Sequence, residues 1–310
     1  MQEDFLLRNG NRFCSEDSCI TNDNNEANNE EIAFSKNESL DNRLKEIKLN
    51  DESMIENAKN FAFGVIMDEN SNNEITNQAL LLLYDVVCCL RRNTNVFYDD
   101  DIVVSIIDLL YHSNTEIIIN TLKLIFALSQ GSRKPMNLFI KNDLLSSLLE
   151  LFNLQLNKEE YESVLYNVIM IASNIAFLSS KKVHYLIQLG YSNLIIKAIN
   201  EGNFKMRIAA SFFISNIMAK GIIYDIQNSI NTSMINHLFE LLDEEFDLRL
   251  FHCILDGILI CLQNQISIEN VPLQNILKND HYYNVLCTLS TNEDEYTAET
   301  SQAIISLIEE

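Results

Sequence analysis

Asn167–Val168–Ile169–Met170–Ile171–Ala172–Ser173–Asn174–Ile175–Ala176 and Ala209–Ala210–Ser211–Phe212–Phe213–Ile214–Ser215–Asn216–Ile217–Met218 read as two copies of one apolar helical segment. Each carries Ser-Asn-Ile near its end, and Asn174 and Asn216 lie 42 positions apart. A buried amide without partners costs about 2–7 kcal/mol, so the same amide in two apolar helices needs a reason. A spacing near 40 residues is that of helical repeats that stack into a solenoid.

Working outward from this pair, the long helices align at Cys88, Ala127, Asn174, Asn216, Ile260 and Ile304, with steps of 39, 47, 42, 44 and 44 residues. Between them, apolar residues recur at three and four, as in Ile102–Val103–Ile106–Ile107–Leu110, Leu144–Leu145–Leu148–Leu149–Phe152 and Leu194–Ile195–Ala198–Ile199. Short polar breaks at His112–Asn114, Asn153–Lys158, Glu201–Asn203 and Leu242–Glu245 have the length of tight helix–helix connections. Asn157 is placed to cap a helix that opens Lys158–Glu159–Glu160. Gly190 sits between two helical runs and suits a left-handed corner, and Asn142 occupies the same place one repeat earlier. Two helices around a corner followed by a long third helix define a three-helix armadillo unit. The expected fold is therefore all-α: an armadillo-repeat right-handed superhelical solenoid of about six repeats, covering 54–310. Residues 1–53 are rich in Asn, Glu, Asp and Ser and read as a disordered acidic tail, with one amphipathic piece from Leu40 to Leu49.

The formal net charge is −22, from 44 acids and 22 bases. Such a balance disfavours nucleic acid and anionic membrane surfaces and favours basic partners. No run approaches 18 consecutive apolar residues, so no membrane span is expected. No basic n-region precedes an apolar core at the start, so no secretory signal is read there. The seven Cys show no repeated short-spaced pairs and read as free thiols in a reducing compartment, cytoplasm or nucleus. The five His stand apart from any nucleophile pattern, and Gly64, Gly131 and Gly221 form no phosphate loop. No enzyme, metal or cofactor is expected.

Three passages resemble the importin alpha (karyopherin alpha) family, in its C-terminal half. Ile208 to Asn216 is similar to the family's Glu-Ala-Ala-Trp-x-x-x-Asn helix, Ile254–Leu255–Asp256–Gly257–Ile258 to a late Leu-Asp-Gly/Ala segment, and Asn292–Glu293–Asp294–Glu295–Tyr296 through Ile305 to the terminal unit. The resemblance implies a groove along the third helices that receives basic nuclear localisation signals. In it Asn174 and Asn216 clamp the peptide backbone, Met170 and Phe212 stand at the wall positions, and Asn167 occupies the place of a groove acid in a chain without Trp. Lys123, one turn before Ala127, matches a basic residue of the family's sixth repeat, which points to the minor cargo site. Implied partners are basic linear peptides of cargo proteins, importin beta and an export receptor; the implied location is cytoplasm and nucleus. The segment 1–53 lacks the family's arginine-rich character. The other reading of the residues is an armadillo scaffold or Hsp70-type chaperone cofactor that grips a folded protein, with the two Asn bonding neighbouring helices.

Overall fold

The computed structural model describes residues 52–68, 71–90, 99–131, 133–153, 158–244 and 247–310. The expected tail, its Leu40–Leu49 piece and the cap at Asn157 lie outside these residues, save that the first helix already starts at Glu52. Two compact units divide the chain, one ending at Asn142 and the other beginning at Asp143.

In the first unit the helices are α1 (Glu52–Ile66), α2 (Asn73–Leu90), α3 (Asp100–Asp108, continued by a 3-10 turn to Tyr111), α4 (Thr115–Ser129) and α5 (Arg133–Lys141). Local chemistry sets their starts. The Asp99 carboxylate accepts from the Asp101 amide at 2.9 Å, and the Asn114 side chain accepts from the Glu116 amide at 2.8 Å, each satisfying an orphan donor of the first turn. Val103, Ile106, Ile107 and Leu110 form the buried face that their spacing predicts, and Ile117, Leu124 and Leu128 do the same on α4.

The second unit holds α6 (Leu144–Glu150), α7 (Lys158–Leu178), α8 (Ser180–Leu189), α9 (Tyr191–Glu201), α10 (Phe204–Lys220), α11 (Ile223–Ser229), α12 (Thr232–Glu244), α13 (Leu248–Gln263), α14 (Leu273–Leu277), α15 (Asp280–Leu289) and α16 (Glu295–Glu309). The long helices α7, α10, α13 and α16 pack in sequence, each on the next. With α2 and α4 they carry all six aligned positions, so the repeat is real and the architecture is the all-α armadillo array. Hydrogen bonds between repeats keep the pitch: Asn120 to Asn77 and Asn216 to Ser173 span 43 residues, and His252 with Asp294 spans 42. Helix α7 is long and apolar enough to cross a membrane, yet Val164, Val168, Ile171 and Ile175 are buried in the unit's core. Helix α10 is buried on nearly every side from Ala209 to Met218.

Gly190 has φ 95° and joins α8 to α9, as the sequence predicts. The other corner differs from expectation. The left-handed residue is Asp143 (φ 65°), one position beyond Asn142. The Asn142 amide instead donates to the Leu138 carbonyl at 3.0 Å and to the Asp100 carboxylate at 2.9 Å, which holds it at the end of its helix. A second departure is a two-stranded hairpin, β1 (Ser267–Ile268) with β2 (Val271–Pro272), turned by Glu269 (φ 51°) and Asn270 (φ 66°). The scarcity of Gly and Pro gave no hint of it.

Candidate binding face of the third helices

The site residues expected from sequence fall in both units. Lys123 is on α4 of the first, where its ammonium donates to the Asn120 side chain at 3.4 Å and Asn120 donates onward to Asn77 at 3.2 Å. Asn77 and Asn120 are buried and Lys123 is exposed. A cation at one end fixes the amide orientation of the whole short ladder.

The remaining five sit on α7 and α10 of the second unit. Asn174 is half-buried and reaches the surface. Asn216 is only 8% exposed, and its amide nitrogen donates to the Ser173 carbonyl at 3.0 Å and hydroxyl at 2.9 Å. The Cys253 thiol approaches its carbonyl oxygen at 3.8 Å. This amide bonds neighbouring helices, the alternative weighed for it from sequence. Met170 (3% exposed) and Phe212 (5% exposed), read from sequence either as groove walls or as core, are buried, with helix-on-helix packing over both. Asn167 is likewise buried, and its amide donates to the Ser163 carbonyl of its own helix at 2.8 Å.

What does line the half-buried stripe on these helices is a set that sequence reasoning passed over. Phe177 lies one turn beyond Asn174 on α7, and Lys220 one turn beyond Asn216 on α10, with its ammonium 5.0 Å from the Phe177 ring centre. On α13, Asp256 accepts a short hydrogen bond from the Tyr296 hydroxyl of α16. Burial pushes the Asp256 carboxyl up from its ordinary value, while Tyr296, His252 and Lys220 pull the other way. His252 bonds Asp294 at 2.7 Å and meets the Tyr296 ring edge-on at 4.6 Å between centres. Asp294 is also raised by burial, but the hydrogen bonds from His252 and Thr297 prevail and hold it below the ordinary carboxylate value. Phe177, Lys220 and Tyr296 each lie one repeat from a partner already in view. Pairing residues about 42 positions apart would have exposed them.

The stripe is of mixed sign. Lys220 at the end of α10 stands with Arg249 and Asp256 on α13, and Asp247 caps the start of α13. Arg249 binds Asp247 through two nitrogens, at 3.1 and 2.9 Å. Burial raises the Cys253 and Cys261 thiols to about 12, so neither is an activated nucleophile. Among the described residues no cluster of His, Cys, Asp and Glu is arranged to hold a metal.

No protein-family model and no curated protein matches the sequence. Solved structures do. A designed armadillo repeat protein aligns with a TM-score of 0.65 at 17% identity, covering 80% of this chain and 98% of its own. A second designed armadillo repeat protein, solved in complex with peptide (KR)4, aligns with a TM-score of 0.55 at 17% identity, covering 87% and 98%. A computationally designed armadillo protein for modular peptide recognition gives 0.56 at 17% identity, covering 86% and 98%. At this identity the likeness is one of fold.

Proposed function

We propose that this chain is a peptide-binding armadillo scaffold whose ligand is a basic linear segment, working as an importin-alpha-like adaptor between cytoplasm and nucleus. An importin-beta-type carrier and an export receptor would be its further partners. The observation that supports it is the half-buried stripe of the second unit, where an amide (Asn174) and an aromatic face (Phe177) on α7 and a carboxylate (Asp256) on α13 flank α10. Those three groups supply backbone hydrogen bonding, a surface for an aliphatic stem and cation–π contact, and charge. A fold of the same type has been solved with a Lys-Arg peptide.

The test is fluorescence anisotropy of a labelled Lys-Arg repeat peptide titrated with the full chain. Saturable binding that weakens with salt is expected. Asn174→Ala should weaken it roughly fivefold, the worth of about one net hydrogen bond. Absence of binding at low salt sinks the reading.

A second reading, a scaffold or chaperone cofactor gripping a folded protein, is favoured by one feature. Ile222, Ile223 and Tyr224 are 49%, 53% and 67% exposed beside an apolar groove of about 520 Å³ that also takes in Met218, Ile260 and Ile266. Binding through it would be insensitive to salt.

A further inference from the structure

Phe177, Lys220 and Asp256 come from three successive third helices, α7, α10 and α13. Lys220 is the last residue of α10, where the helix dipole favours a cation. Its ammonium sits over the Phe177 ring at 5.0 Å, and its charge acts on the Asp256 carboxyl. One oxygen of that carboxyl is taken by the Tyr296 hydroxyl, and the nearby His252 is held by Asp294. Phe177 and Lys220 repeat, one turn further on, the 43-residue relation of Ser173 and Asn216. An aromatic face with a carboxylate in its neighbourhood is the chemistry that receives a lysine or arginine side chain. Here the chain's own lysine already occupies it.

We propose that Lys220 is a built-in pseudo-ligand, filling a cation subsite formed by Phe177 and Asp256 that a basic peptide reaches only by displacing it. The inference rests on the basic-peptide reading above. Displacement asks for the swing of one half-buried side chain at a helix end, with no movement of backbone. It makes Lys220 a specificity determinant: a ligand gains at this subsite only what its own cation offers beyond that of Lys220. An arginine, which stacks flat on an aromatic ring and is more weakly hydrated than an ammonium, out-competes a lysine there.

The test compares wild-type chain with Lys220→Met, which keeps an apolar stem and removes the charge. Titrated with a labelled Lys-Arg repeat peptide, Lys220→Met should bind roughly three- to tenfold more tightly, and Phe177→Leu added to it should abolish the gain. Equal or weaker binding by a Lys220→Met protein of unchanged circular dichroism overturns the proposal and leaves the basic-peptide reading standing. Failure of both proteins to bind overturns both.

A second measurement needs no change in affinity. After reductive ¹³C-methylation, the Lys220 resonance, identified by its loss in Lys220→Met, should be displaced by the Phe177 ring current. Saturating peptide should return it to the position of the other lysines. A resonance that stays put while peptide binds shows that Lys220 does not yield, and the pseudo-ligand is ruled out.

Discussion

The amide nitrogen of Asn216 donates to both the carbonyl oxygen and the hydroxyl of Ser173, 43 residues earlier on the neighbouring third helix. Its carbonyl oxygen is met by the Cys253 thiol of the helix on the other side. One side chain thus joins α7, α10 and α13. Replacing it by Ala strands the Ser173 hydroxyl in an apolar setting, and the loss should be about 1–3 kcal/mol. Urea unfolding of Asn216→Ala followed by circular dichroism measures it; a change within error would mean the rung is decorative.

His184 and Asp225 give a sharper case. The Asp225 carboxylate is 1% exposed, one of its oxygens bonds the His184 ring at 2.8 Å, and the other is buried without a hydrogen bond. His184→Ala leaves a buried charge unpaired, and roughly 3 kcal/mol of stability should go with it. Adding Asp225→Asn removes the charge, so the double variant should recover part of the loss. Additive effects of the two substitutions would contradict this coupling.

Stability should also fall with acidity through His237. This ring is 3% exposed and bonds the Arg207 carbonyl; burial lowers its pKa from the ordinary 6.5. A pKa lowered by folding contributes stability that is complete above 6.5 and drains away as pH falls through the folded value, because the unfolded chain binds the proton first. The urea midpoint of the wild type should therefore drop between pH 7.5 and 5 by more than that of His237→Leu. Parallel curves would show that other groups carry the acid sensitivity.

Two glycines should respond differently to Ala. A Cβ at Gly190 meets nothing within 4 Å, so Gly190→Ala pays only for the left-handed backbone, about 1 kcal/mol. A Cβ at Gly221 would lie 2.6 Å from the Ile217 carbonyl oxygen and 3.0 Å from Ile226. That clash dislodges the end of α10, so Gly221→Ala should lower the melting temperature by more than Gly190→Ala does.

These contrasts bear on what could be read from the chain. The Gly190 corner was legible because Gly alone tolerates that φ without a penalty. The neighbouring corner was not, since Asn and Asp both tolerate αL and only the bonds made by the Asn142 side chain decide which one turns. The hairpin at 267–272 was hidden because Glu269 and Asn270 carry a turn that usually advertises itself with Gly. The repeat, and the helices that bear it, followed from periodicity. The binding face did not: Met170 and Phe212 have the right residue types, but only the packing of α7 on α10 tells that both are covered.

Helix α10 is apolar around its circumference, so burial alone would accept it at any rotation. Hydrophobicity drives the helix between its neighbours and says nothing about which way it should face. Asn216 supplies the missing instruction. Turned by one residue, about 100°, its amide would leave Ser173 and point into hydrocarbon. That single polar group acts as an index mark, and the side chains that α10 shows to its surroundings, Lys220 among them, take their direction from it.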